Sequence, residues 1–307
     1  MDVLLDALTR AIVQISETPG AYVYHLVALF AIESAGLVAL VGWWRRTGTG
    51  LGRLALGLNA LFIIHVISLA AVLLGAFGVV NPLYIVPPLS RGVTAVSLTI
   101  VIWLVLAPNG SRWLDGIALL LLAAVGVGLG WTWPIWLTLA GTVNGFNATP
   151  LDVPWAYAQA GVAALGIVGL IVGGIFRRTP RWGLGLVILG LLLLGHILHV
   201  LVFIPQLNIA GVTRLFELVA YPLVLAYVLG ATSAARAPDP VAPSATPAAA
   251  PAEPVDHEPR LTAKTANAIA TLGLQQDLPQ LAQALARAAC LACDADLALV
   301  ISPPDGA

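Results

Sequence analysis

Charge is scarce in this chain. Asp, Glu, Lys and Arg make up 9% of its 307 residues, where a soluble globular protein carries about 25%. That shortage excludes a soluble fold for most of the sequence. Lysine is nearly absent, Lys264 being the single one, and the formal net charge of −1 leaves no basic surface for nucleic acid. Cysteine is confined to Cys290 and Cys293, which excludes a disulfide-stapled secreted scaffold. Their Cys-Leu-Ala-Cys spacing closes a helix, whereas a thioredoxin-like pair opens one, and a four-cysteine zinc site needs a second pair. They read as small apolar core thiols. The N-terminus lacks the positive start of a signal peptide, having Asp2 and Asp6 instead. No nucleotide-binding loop or catalytic triad occurs, so no catalytic activity is expected of these residues themselves.

What is abundant is apolar length. Hydrophobic residues make up 59% of the chain and the mean hydropathy is +0.94. A membrane-crossing helix needs about 20 mostly apolar residues at about 1.5 Å each. Seven stretches qualify, near 20–44, 54–79, 89–107, 113–131, 155–176, 182–204 and 213–234. An all-α polytopic membrane body is therefore expected. Trp131, Trp133 and Trp136 read as an interfacial belt after the fourth span. Pro87, Pro88 and Pro205 read as span ends, which leaves Pro222 as the proline inside a span.

Orientation follows from arginine. Arg45, Arg46, Arg53, Arg112, Arg177, Arg178, Arg181 and Arg236 fall on one side of a seven-span body, against Arg10, Arg91 and Arg214 on the other. By the positive-inside rule the N-terminus is outside and the C-terminus cytoplasmic. Residues 1–19 carry Leu4, Leu8, Ile12 and Ile15 on one stripe and read as an amphipathic outer helix. Gly126 with Gly130, and Gly169 with Gly173, have the spacing of close helix contacts within the bundle.

Ionisable groups inside a bilayer are costly and mark functional candidates. The candidates for ligand or proton sensing are His25, Glu33, His65, Arg91, His196, His199, Arg214 and Glu217. Most lie toward the outer half, which predicts a pocket opening outward. Arg91 and Arg214 could instead snorkel to the interface, and Arg214 could pair with Glu217 three residues on. Glu33 is near mid-span, and Arg91 or a histidine is its best partner. The spacing requires no cofactor. A haem between His65 and His196 or His199, or a metal on His25, His65, His199 and Glu33, is the alternative.

Between Ala237 and Pro259 seven of 23 residues are Pro and seven are Ala, the composition of a disordered linker. Order is expected to return over 260–307. Asp277 and Gln280 form a capping box, Leu278, Leu281, Leu285 and Ala288 an apolar stripe, and Leu297, Leu299 and Ile301 a buried strand. One helix pair and a strand cannot bury a core of their own, so an interrupted domain is expected. His257-Glu258-Pro259-Arg260 imitates a phosphoacceptor box but sits in the Ala/Pro spacer, not on a helix.

The stretches from Asp277 to Ala289 and from Ala295 to Ile301 resemble the opening helix and first strand of a GAF domain. The whole layout resembles the N-terminal part of bacterial multi-span sensor histidine kinases. The resemblance implies a sensory input module at the inner membrane, a homodimer, a response regulator as partner, and an output domain that includes a protein-histidine kinase. The rival expectation is a transporter or channel with a cytoplasmic regulatory tail, although no inverted repeat is apparent.

Overall fold

The computed structural model describes residues 2–17, 19–45, 49–106, 110–177, 181–202 and 204–234. The Ala/Pro spacer, the GAF-like stretch, His257 and both cysteines lie outside them. The described residues form eight α-helices and no strand. They are α1 (Asp2–Ser16), α2 (Gly20–Arg45), α3 (Thr49–Ala76), α4 (Pro82–Leu106), α5 (Arg112–Leu139), α6 (Asp152–Arg177), α7 (Trp182–Leu201) and α8 (Gly211–Ala234). A short 3-10 turn, Phe146–Ala148, precedes α6. Seven helices, α2 to α8, are long and apolar enough to cross a membrane.

Two boundaries differ from the sequence reading, both at segments that hold proline inside a helix. The third span begins at Pro82 and holds Pro87 and Pro88 inside it, and the fourth runs on to Leu139 with Pro134 inside it. A proline in a helix leaves the carbonyl four residues earlier without its donor. For Pro87 that carbonyl is Leu83 O, and the Trp136 indole Nε1 donates to it at 2.8 Å. Trp136 is therefore no interfacial residue. It is fully buried in a cluster with Phe146, Leu151 and Trp155, while Trp131 faces outward.

Successive spans pack against each other except α5 and α6, which are joined by the longer segment holding the 3-10 turn. Helix α4 lies at the centre, against α3, α5, α6 and α7, and α2 and α8 close the other side. Helix α5 packs mainly on α4 and touches α6 through the hydrogen bond from Trp155 Nε1 to Thr132 Oγ1, at 3.0 Å. The main apolar core draws Ala28 to Ala39 of α2, Leu51 to Leu61 of α3, Leu98 to Val105 of α4, and Ile188, Leu189, Tyr221 and Val228. Ala28 and Tyr221 border polar clusters nearer the other end, and most of the remaining positions lie from the middle of the bundle toward the arginine-rich end. There, Arg53 forms a bidentate pair with Asp115, at 3.0 Å for one of its two hydrogen bonds. Trp103 Nε1 donates to the same carboxylate at 2.8 Å, which ties α3, α4 and α5 together.

The opposite end is crossed by α1, which packs on α2 and α8 with Ile12 fully buried against Leu207 and Val212. Gly211 permits that crossing, since a Cβ there would lie 2.1 Å from Ser16 Oγ. The glycine spacings do not act as expected. Gly126, Gly130 and Gly173 face open space, and Gly169 alone touches a neighbour, Leu106.

Candidate functional site

Polar side chains gather in the α1 end of the bundle, in two clusters. The first lies between α4, α6 and α7. Arg91, 2% exposed, forms an ion pair of 2.5 Å with Asp152. His199 Nε2 lies 3.2 Å from the other carboxylate oxygen. Arg91 also donates to Asn147 Oδ1 at 2.5 Å, and Gln159 donates to the Arg91 carbonyl at 2.9 Å. Asp152 opens α6, so its charge also meets the free N–H groups of that helix start.

Asn147 hooks one loop to another. Its Nδ2 donates to Ile204 O at 3.2 Å and Ile209 O at 3.4 Å, and its backbone N–H to Leu207 O at 3.1 Å. Gly145 allows this approach, because a Cβ there would come 2.5 Å from Pro205 O. Asn147→Ala leaves Arg91 and two loop carbonyls short of a partner. We expect a loss of about 2 kcal/mol and faster amide exchange over 145–149, read by hydrogen–deuterium exchange. Unchanged exchange would show that Asn147 does not hold the loop.

The second cluster lies between α2, α3, α4 and α8. The Tyr24 hydroxyl donates to Glu217 in a short hydrogen bond. The Arg214 guanidinium, on a residue 3% exposed, lies 4.6 Å over the Tyr24 ring and donates to Ile15 O at 3.4 Å. His65 Nε2 stands 3.2 Å from both the Tyr221 and Ser97 hydroxyls. His25, 1% exposed, packs edge-on against Tyr24.

Seven of the eight candidates are thus buried at one end of the bundle. Three readings need correction. Arg91 and Arg214 do not snorkel: both are buried, Arg91 on an anion and Arg214 on an aromatic face. Arg214 and Glu217 form no ion pair, because Tyr24 stands between them and takes the carboxylate. Glu33 meets neither Arg91 nor a histidine. It lies off the buried stripe of α2 and faces outward, so the four-residue metal set containing it is not assembled. Among the described residues no group of three such ligands comes together.

Sequence reasoning missed Asp152, Asn147, Gln159 and Tyr221. Asp152 and Asn147 read as loop residues beyond a span end. The signal that could have found Asp152 was charge balance, since a buried Arg91 requires an anion at its own depth.

Four histidine nitrogens in these clusters are buried without a hydrogen-bond partner among the described residues: Nδ1 and Nε2 of His25, Nδ1 of His65 and Nδ1 of His196. Toward the α1 end of α2, α3 and α4, a cavity of about 530 Å³ opens between Ser16, Ala21, Tyr22, Val72, Pro87 and Asn208, with none of these histidines in its lining. Ala21, Val72 and Pro87 lie one or two turns above His25, His65 and Arg91 on the same helix faces. A second cavity of about 250 Å³, almost wholly apolar, lies between α4, α5 and α6.

These features define a multi-span helical membrane protein in contact with the lipid bilayer, with a polar chamber in one half and an apolar core in the other. Comparison with known protein families, curated proteins and solved structures finds no match.

Proposed function

We propose that residues 1–236 are the sensory input part of a signal-transduction protein, most simply a two-component sensor histidine kinase. A small polar ligand enters through the cavity at the α1 end. It engages the histidine nitrogens that the fold leaves unpaired and shifts α8, which bears Arg214, Glu217 and Tyr221 and leads into the linker. The observation that carries this reading is that His25 and His65, with unpaired buried nitrogens, lie one to two helical turns below a cavity on the same helix faces, since buried polar groups are normally satisfied. Arginine placement supports a bacterial inner membrane with the α1 end outside. The resemblance of the tail to a GAF domain supports a cytoplasmic output, with a response regulator as partner.

The rival reading is a transporter or channel. It is disfavoured because, among the described residues, the buried charged side chains (Arg91, Asp152, Arg214 and Glu217) all lie toward the α1 end and none toward the arginine-rich end. The test uses membrane vesicles holding the whole gene product. Phosphate transfer from labelled ATP onto the protein, altered by solutes on the α1 side, is the expected result. Saturable solute flux without phosphate incorporation would establish the transporter instead.

A further inference from the structure

We infer that two copies of this chain associate through the outer faces of α2 and α3, each protomer's Glu33 pairing with Asn59 of its partner. The inference is independent of the ligand reading above. Glu33 faces away from the bundle and has no hydrogen bond or ion pair among the described residues. A carboxyl group facing hydrocarbon alone is costly, and such a residue is retained where something covers it. On the adjoining helix, Asn59 also faces outward, its Nδ2 donating to Ala55 O at 2.7 Å and its Oδ1 open to a further partner.

The two groups lie at one depth. Glu33 is about 18 Å along α2 from Arg45, and Asn59 about 15 Å along α3 from Thr49, at about 1.5 Å per residue. They also border the same groove. Gly36, three residues after Glu33, meets Leu58. Gly52, two turns before Asn59 on its face, meets Trp43. Around them the faces are apolar, with Leu26, Phe30, Leu37 and Val41 on α2 at alternating spacings of four and seven.

A second copy is the occupant this pattern fits. Two protomers inserted the same way share a two-fold axis along the membrane normal. Such an axis brings residue i to j and j to i at matching depth. An acid and an amide satisfy that rule twice, because a carboxyl pairs with a carboxamide in either protonation state, as donor or as acceptor. In lipid, polar side chains of this kind join helices.

The test uses the full chain with Cys290→Ala and Cys293→Ala, in lipid nanodiscs and liposomes. Phe30 and Ile63 lie one turn beyond the proposed pair and are 75% and 57% exposed. Chains carrying Phe30→Cys, mixed with differently tagged chains carrying Ile63→Cys, are expected to form a disulfide-linked dimer. Glu33→Leu is expected to raise the dimer dissociation constant about a hundred-fold, since both symmetry-related contacts are lost and each interhelical polar contact is worth about ten-fold. Glu33→Gln is expected to leave it near the parent value. Monomers at every lipid dilution would overturn the proposal. So would a dimer that links instead through Val127→Cys on the glycine-bearing face of α5 and is indifferent to Glu33→Leu.

Discussion

Asp152→Ala is expected to destabilise the bundle by about 3–5 kcal/mol, the cost of leaving a buried charge without its partner. Arg91 is that charge. Its guanidinium meets Asp152 and Asn147, and the Asp152 carboxylate also holds His199. One substitution therefore loosens α4, α6 and α7 together. Asp152→Asn keeps one acceptor, for Arg91, and turns an amide donor toward His199 Nε2, which accepts it in the Nδ1–H tautomer; it is expected to lose about 1–2 kcal/mol. The double change Arg91→Met with Asp152→Leu is expected to recover much of the loss, since replacing both members of a buried pair by apolar residues is often neutral. Unfolding in lipid bicelles, titrated with sodium dodecyl sulfate, reads all three. If Asp152→Ala costs less than about 1 kcal/mol, the ion pair is not what holds these helices.

Glu217→Ala carries the second large effect, about 2–3 kcal/mol, the cost of leaving the buried Tyr24 hydroxyl without its acceptor. Glu217 is the anion of the second cluster, joined to Arg214 through the Tyr24 side chain, whose hydroxyl it accepts from and whose ring lies under the guanidinium. Removing it frees the Tyr24 hydroxyl and takes a carboxylate from the neighbourhood of Arg214, which keeps the Tyr24 ring and Ile15 O. Tyr24→Phe removes the hydrogen bond but keeps the ring, and is expected to lose about 1.5–3 kcal/mol. The cycle between Glu217→Ala and Tyr24→Phe isolates the pairwise part. Additive losses would show that the two residues act independently and that this hydrogen bond does not join α2 to α8.

Much of the architecture was legible in the sequence because a bilayer imposes a simple rule. Backbone groups in hydrocarbon must pair within the segment, so about 20 apolar residues in a row declare a helix. The number of spans follows from that rule alone. Their ends were less legible. The sequence placed a boundary at Pro87 and Pro88, where a helix loses a donor. It could not show that a tryptophan 49 residues further along supplies the missing bond to Leu83 O.

The candidate site divides the same way. That His25, His65, Arg91, His196, His199, Arg214 and Glu217 belong to one end of the bundle could be read from their positions along the alternating spans, because span direction reverses at each loop. Which of them touch could not. Arg214 and Glu217 are near neighbours on one helix, yet an aromatic ring from α2 separates them. Arg91 finds its anion at the start of α6, beyond what had been read as a loop. Glu33 needed a partner by the sequence argument and has none inside the bundle.

The sequence by itself therefore determined how many helices cross, which residue types lie at which depth, and which end holds the polar groups. Hydropathy and length are local properties of the chain, and each helix carries them without reference to its neighbours. The tertiary structure alone decided the partners. Pairing depends on the rotation of each helix about its axis and on close approaches such as Gly145 to Pro205. Those are set by the packing of all the helices at once.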